Sequence, residues 1–189
     1  SQWQGHPDAA LMAIKTTCIG AYPKPDYLAI GNFMESDVQD GGVTRAFSYT
    51  QDDADQVPEE LLLKATGQAI RDQLDCAVDI PTDGEQRREN YIHYHCRHLE
   101  GIDFANLTRK VHRNGAAVAE LPTINARVVP RGNHFLDRDY KIAQGFSDRP
   151  VKITLPGPLS TMDTTANVFY ADERELAFDL ADAFNYEVR

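Results

Sequence analysis

The chain has 189 residues, 42% hydrophobic and 25% charged, an ordinary balance for a globular domain with a sizeable core. Its net charge of −10 and pI near 5.0 argue against nucleic-acid or anionic-membrane partners, and no apolar run approaches the roughly 20 residues of a membrane span. Three cysteines (Cys18, Cys76, Cys96) cannot all pair and lack C-x-x-C spacing, and SQWQGHPDAA carries no secretory signal, so reduced thiols in a cytoplasmic protein are expected.

Residues 1–14 read as a polar leader. Lys15–Ile19 (KTTCI) is short and β-branched, which predicts a strand with Cys18 as a small core residue. It runs into Gly20 and then Tyr22-Pro23-Lys24-Pro25, where two prolines enforce an extended or turning chain. Residues 31–57 are rich in Asp, Gly and Gln and read as a long loop with at most one helical turn. A loop of that length is more often a functional cover than filler. The acidic run Asp52–Asp55 within it reads as exposed chain.

Pro58 opens a helix, with Glu59 and Glu60 at the positive end of its dipole and Leu61, Leu62, Ala65, Ala69 and Leu74 on one stripe. Cys76–Ile80 (CAVDI) reads as a short buried strand that feeds the stretch Asp79–His95. That stretch turns through Pro81 and Gly84 and places Asp79, Asp83 and Glu85 close together. Carboxylates at the carboxyl end of a strand are where α/β folds put chemistry; the competing reading makes Asp83 a cap of the turn or of the next helix. Arg87 and Arg88 read as solvated or paired, with anion binding as the alternative.

Residues 88–97 are expected to be helical. They hold most of the densest cluster of metal-ligating types, His93, His95, Cys96 and His98. The i, i+3 pairs His93–Cys96 and His95–His98 point in different directions, so a partly buried helix face is expected in place of one four-ligand site. Asn114-Gly115 between Thr108–His112 and Ala116–Leu121 predicts a β-hairpin, with a helix over 104–112 as the alternative. Thr123–Val129 reads as a strand, Phe135–Gly145 as a helix ended by its glycine, and Val151–Leu155 (VKITL) as a strand closed by Pro156-Gly157-Pro158. Gly157 marks either a tight turn or room for a ligand at the strand end. Asp172 and Glu175 have capping-box spacing and open the last helix, with Leu176, Leu180, Ala183, Phe184 and Val188 on one face.

This order predicts an α/β fold of three to four βα units, with a long loop after the first strand and an inserted β-hairpin. An eight-fold barrel needs about 250 residues. The expected architectures are therefore a small open doubly wound sheet or an incomplete (β/α)8 TIM-type barrel over residues 15–189. The helix running to Arg189 favours the incomplete barrel, with open sheet edges that a copy of the chain or a complementing chain would cover.

Three motifs then point to a family. Thr16-Thr17-Cys18-Ile19-Gly20-Ala21-Tyr22-Pro23 resembles the TT-x-IGS-[FY]-P opening of the catalytic barrel of cobalamin-independent methionine synthases. The segment Asp83–Tyr91 (DGEQRRENY) is similar to that family's GE-x-x-R-x-[DN]-[MY] stretch after the second strand. Residues Lys152–Pro158 (KITLPGP) resemble its strand ending in a [TP]-GP turn. The match is closest to single-barrel members.

The resemblance implies a zinc-dependent methyltransferase acting on the thiol of homocysteine. It also implies an amino-acid pocket, with the backbone around Ile19, Gly20 and Ala21 meeting the substrate carboxylate and Glu85, beside Asp83, holding its ammonium. The family's zinc ligands, a His-x-Cys pair, a Glu and a further Cys on later strands, have no counterpart in these residues. The chain alone is therefore expected to be inactive and to bind no metal, and no catalytic residue is assigned in it. Ala21 replaces the usual Ser, which removes a hydroxyl contact but leaves the backbone one. Thr164 stands where folate-using members carry the tryptophan that stacks on the pterin, and this weighs against folate as the methyl donor. Two alternatives stay open: alkyl or epoxide transfer to another thiol on the same scaffold, and a non-catalytic fragment that needs a complementing chain.

Overall fold

The structure, a computed structural model, describes residues 14–28, 30, 38–39, 43–45, 57–112 and 117–189. The leader up to residue 13, the Asp52–Asp55 run, the Asn114-Gly115 turn and most of 31–57 lie outside these. The framework is three parallel segments, residues 15–19, 78–82 and 151–155, joined by bridges Thr17 to Ile80 and Thr82 to Lys152. Ile80 N donates to Thr16 O at 3.0 Å and Lys152 N to Pro81 O at 2.9 Å. Lys152 Nζ reaches Cys18 O at 2.7 Å, so the third segment is also tied to the end of the first.

Helix α1 (Glu59–Asp75) covers one face of these segments, beginning just inside Pro58 as its proline and acidic first turn predict. Its buried stripe includes Leu62, Ala65, Ala69 and Ile70, while Leu61 and Leu74 are only partly buried. Buried Gln73 stitches the helix to the second segment: its Oε1 accepts from Thr82 N at 2.9 Å, and its Nε2 donates to Thr82 O at 2.9 Å. The helix stops earlier than CAVDI suggests. Cys76 is its exposed C-cap, and Ala77 turns the chain at φ +61°, so neither belongs to a buried strand. The extended backbone starts nearer Ile80.

Helix α2 (Tyr91–Arg97) is capped by Asn90, whose Oδ1 accepts from Ile92 N and His93 N at 2.8 and 3.1 Å. It leads into a long hairpin, β3 (Leu99–His112) against β4 (Ala117–Pro130), which rules out the alternative helix over 104–112. The arms are longer than the alternation suggests because two irregularities interrupt the pairing. At the first, Gly101 has φ +83° and a Cβ there would lie 2.5 Å from Arg127 O. At the second, Asp103 Oδ1 accepts from Ala105 N and Asn106 N.

Two short strands, β1 (Val38–Gln39) and β2 (Val43–Arg45), extend this sheet, with β2 parallel to β4. Part of the expected long loop is therefore strand, paired through backbone groups that leave little trace in a polar sequence.

Helix α3 (Phe135–Gln144) returns to the third segment. After it come the short helix α4 (Pro158–Asp163), strand β5 (Ala166–Asn167) paired with β4, and helix α5 (Glu173–Val188), capped by Asp172 accepting from Arg174 N. The main core joins α2, the hairpin root and α5 through Cys96, Leu99, Ile124, Val128, Leu180 and Phe184. No helix among the described residues is long and apolar enough to cross a membrane.

Candidate active site

A cleft of about 700 Å³ opens where the three parallel segments end. Residues 19–24 after the first segment form one wall. Glu85 and Arg88–Tyr91 after the second form another, and Thr154 and Leu155 of the third close it. A groove of about 550 Å³ between β4 and α5 is less suited to chemistry, because its Arg127 and Asp179 are paired with each other at 2.9 Å.

The turn after the second segment is built from its own polar side chains. Thr82 Oγ1 accepts from Gly84 N at 3.2 Å, and Asp83 Oδ1 accepts from Glu85 N at 3.1 Å. Gly84 and Glu85 both take left-handed backbone, at φ +65° and +55°. Glycine is required at the first position, since a Cβ would lie 2.7 Å from the Cβ of Tyr22. At the second, a side chain is carried into a conformation that costs free energy, the kind of strain that concentrates at functional sites. Glu85 is thereby 6% exposed, and its Oε1 accepts from the Thr154 hydroxyl at 3.0 Å.

Ile19, Gly20, Ala21 and Glu85 share this cleft. Gly20 has φ +85°, and the Ile19 side chain is almost fully exposed. Asp83 does not line the cleft: Oδ1 is taken up inside the turn and Oδ2 pairs with Arg88 at 2.9 Å. Asp79 lies at the opposite end of its segment, accepting from the backbone and hydroxyl of Thr16 at 2.8 and 2.9 Å. Those bonds hold its carboxyl below the usual range. It is a structural clasp. Both arginines of the stretch are buried and paired, Arg87 with Glu59 at 2.7 Å and Arg88 with Asp83.

Three residues join the site that the sequence did not single out for it: Lys24, Arg88 as a wall, and Thr154. Lys24 Nζ donates to Glu85 O at 2.9 Å. Burial lowers its pKa to about 8, against the opposing pull of Glu85, Glu89 and Asp83. Its one sequence signal is its place between Pro23 and Pro25 in the strand-end loop.

The cluster after the turn does not fit a metal. His93 Nε2 lies 3.0 Å from Thr164 O, and His95 Nδ1 lies 2.6 Å from Tyr91 O. Cys96 is fully buried, which pushes its thiol up to about 12, far from the thiolate that zinc takes. Among the described residues no group of three or more His, Cys, Asp and Glu is placed to hold a metal ion.

Residues 14–189 match the model of the cobalamin-independent synthase catalytic domain. The chain belongs to that family. It is 28% identical over 177 residues to a methionine synthase of Sulfolobus acidocaldarius, covering 93% of this chain and 47% of that protein. It is 25% identical over 180 residues to a methionine synthase of Saccharolobus solfataricus, covering 95% of this chain and 49% of that one. In structure it is similar to a B12-independent methionine synthase from Shewanella sp. W3-18-1, solved in complex with selenomethionine. The TM-score is 0.71 at 26% identity, over 92% of this chain and 46% of that one. The chain thus spans about half the length of the curated relatives it matches, and its α/β fold is that of the cobalamin-independent synthase catalytic domain over the part they share.

Proposed function

We propose that this chain forms the amino-acid-holding wall of a methyltransferase that passes a methyl group to the thiol of homocysteine. In this reading residues 15–189 supply three βα units of a (β/α)8 barrel. The remaining units, and the zinc that the family resemblance implies, belong to residues outside these 189. The observation that carries the reading is the Glu85 carboxylate, held by Thr154 on a left-handed turn at the rim of the cleft that Ile19–Ala21 also line. A carboxylate with few remaining degrees of freedom pairs well with a ligand ammonium. The Ile19–Ala21 backbone is the complementary contact for the carboxylate of the same amino acid. Asp83 acts from behind, through Arg88, without touching substrate. In this reading activation of the thiol falls to groups outside the described residues, among which no group of three or more His, Cys, Asp and Glu is placed to hold a metal ion. The solved relative's complex with an amino acid supports a pocket of this class.

Glu85→Gln in the intact protein tests the reading, because the amide keeps the shape and loses the charge. Titration calorimetry with L-homocysteine is expected to show at least about tenfold weaker binding, as for loss of one charged hydrogen bond. Unchanged affinity would remove Glu85 from the pocket.

A further inference from the structure

The loop after the first segment and the turn after the second are zipped together by backbone-directed bonds. Tyr22 N donates to Gly84 O at 2.9 Å, and Gln86 Nε2 donates to the carbonyls of Tyr22 and Pro23 at 3.2 and 3.3 Å. All of these are neutral. Lys24 adds the one charged bond of this zipper among the described residues. Its Nζ donates to Glu85 O at 2.9 Å and lies 3.5 Å from Gln86 O.

That carbonyl belongs to the second of two successive left-handed residues, and unlike Gly84 it carries a side chain. Such a conformation persists only where its surroundings over-determine it. Glu85 N is held by Asp83 Oδ1, and Glu85 O by Arg88 N at 3.0 Å and by the Lys24 ammonium. The charge-assisted bond is the strongest of the three in kind. It is also the one that arrives from another segment of the framework.

We infer that Lys24 is a positioning residue of this cleft: donated to the Glu85 carbonyl, its ammonium holds the left-handed turn that aims the Glu85 carboxylate at the ligand's amino group. This rests on the proposed role of Glu85 as the amine anchor. Lys24 acts through Glu85 and is not required to touch the ligand. The charged groups facing it are Glu85, Glu89 and Asp83, which favour the ammonium, and Arg88, which disfavours it. Burial outweighs them and brings its pKa to about 8. The ammonium is therefore present below that value and lost as pH rises through it, so ligand affinity falls on the alkaline side.

The test is a double-mutant cycle on the intact protein, read by titration calorimetry with L-homocysteine, with circular dichroism to show that each variant is folded. Lys24→Met is expected to weaken binding about tenfold, as for loss of one charged hydrogen bond. In the Glu85→Gln background the same change should cost less than about threefold, because coupled residues are not additive. Lys24→Arg restores binding at pH 7 and flattens the decline between pH 7 and 9. The ligand's own amine titrates alike in every variant, so the difference between profiles isolates residue 24. A second ligand, 3-aminopropanethiol, lacks the carboxylate, and the Lys24→Met effect should persist with it.

Full additivity of the two substitutions, an effect confined to the carboxylate-bearing ligand, or unchanged affinity in Lys24→Met would each overturn the positioning role and leave Glu85 as anchor. Unchanged affinity in Glu85→Gln itself would overturn both.

Discussion

Asp83 and Arg88 form an ion pair at 2.9 Å in which neither side chain is more than 1% exposed. Arg88 also donates through Nη1 to the carbonyl and hydroxyl of Thr154, at 3.1 and 2.8 Å, and the same hydroxyl donates to Glu85. The pair is the anchor of a relay that ends at the cleft. Removing one member of a buried pair strands the other charge, at a cost of about 3–5 kcal/mol. Asp83→Asn is therefore expected to lower the unfolding free energy by about 3 kcal/mol in urea titrations. The double change Asp83→Leu with Arg88→Met should cost less than the single one, since no charge is left unpaired. A single-variant loss below about 1 kcal/mol would mean that water reaches the pair.

Glycine at 84 is required twice over, by φ +65° and by the 2.7 Å approach that a Cβ would make to Tyr22. Gly84→Ala should cost about 2 kcal/mol, combining backbone strain with overpacking, and should weaken ligand binding because the turn carries Glu85. Gly157→Ala is the control. That residue has φ −80° and open space around its Cβ position, so its melting temperature should hardly move.

Much of this was readable along the chain, for identifiable reasons. Helices α1 and α5 announce themselves through Pro58 and Asp172, whose roles depend only on the next few residues. The hairpin shows in the residues flanking Asn114-Gly115, and the acidic strand-end turn in Asp83-Gly84-Glu85. The features that escaped depend on contacts distant in sequence. Ala77 ends its helix in left-handed backbone without a glycine to mark it, so CAVDI reads as strand. The outer hairpin arms are hidden where Asp103–Asn106 breaks the alternation. Lys24 and Thr154 enter the site only because three parallel segments end side by side, which no local pattern specifies.

Burial of His93 and His95 makes stability depend on pH. Burial lowers their pKa values to about 4 and about 3, from an ordinary value near 6.5 that the unfolded chain regains. The folded state thus excludes protons that the unfolded state accepts. Stability is full above pH 6.5 and falls as pH drops below it, toward the folded values. At pH 5.5 each of the two should cost about 1.4 kcal/mol. Burial lowers the His98 pKa to about 4 as well, so three imidazoles share this slope. Urea unfolding between pH 7.5 and 5 measures it, and His95→Gln should remove roughly a third of it whatever the variant's own stability. A flat profile in that window would show that these imidazoles protonate in the folded state.

Cys96 connects the core to the question of metal binding. It is fully buried among the residues joining α2, the hairpin and α5, and burial pushes its thiol up to about 12. Only a thiolate attacks disulfide reagents or ligates zinc, so the native fold withholds Cys96 from both. Exposed Cys76 should react at once with an aromatic disulfide at pH 8, and partly exposed Cys18 more slowly. Cys96 should react only as fast as the core opens, and urea should accelerate it together with loss of ellipticity. Added zinc should leave that rate unchanged, since the metal has no route to the sulfur that does not first unfold α2. Rapid native-state labelling of Cys96, or protection of it by zinc, would return the His93–His98 cluster to consideration as a metal site.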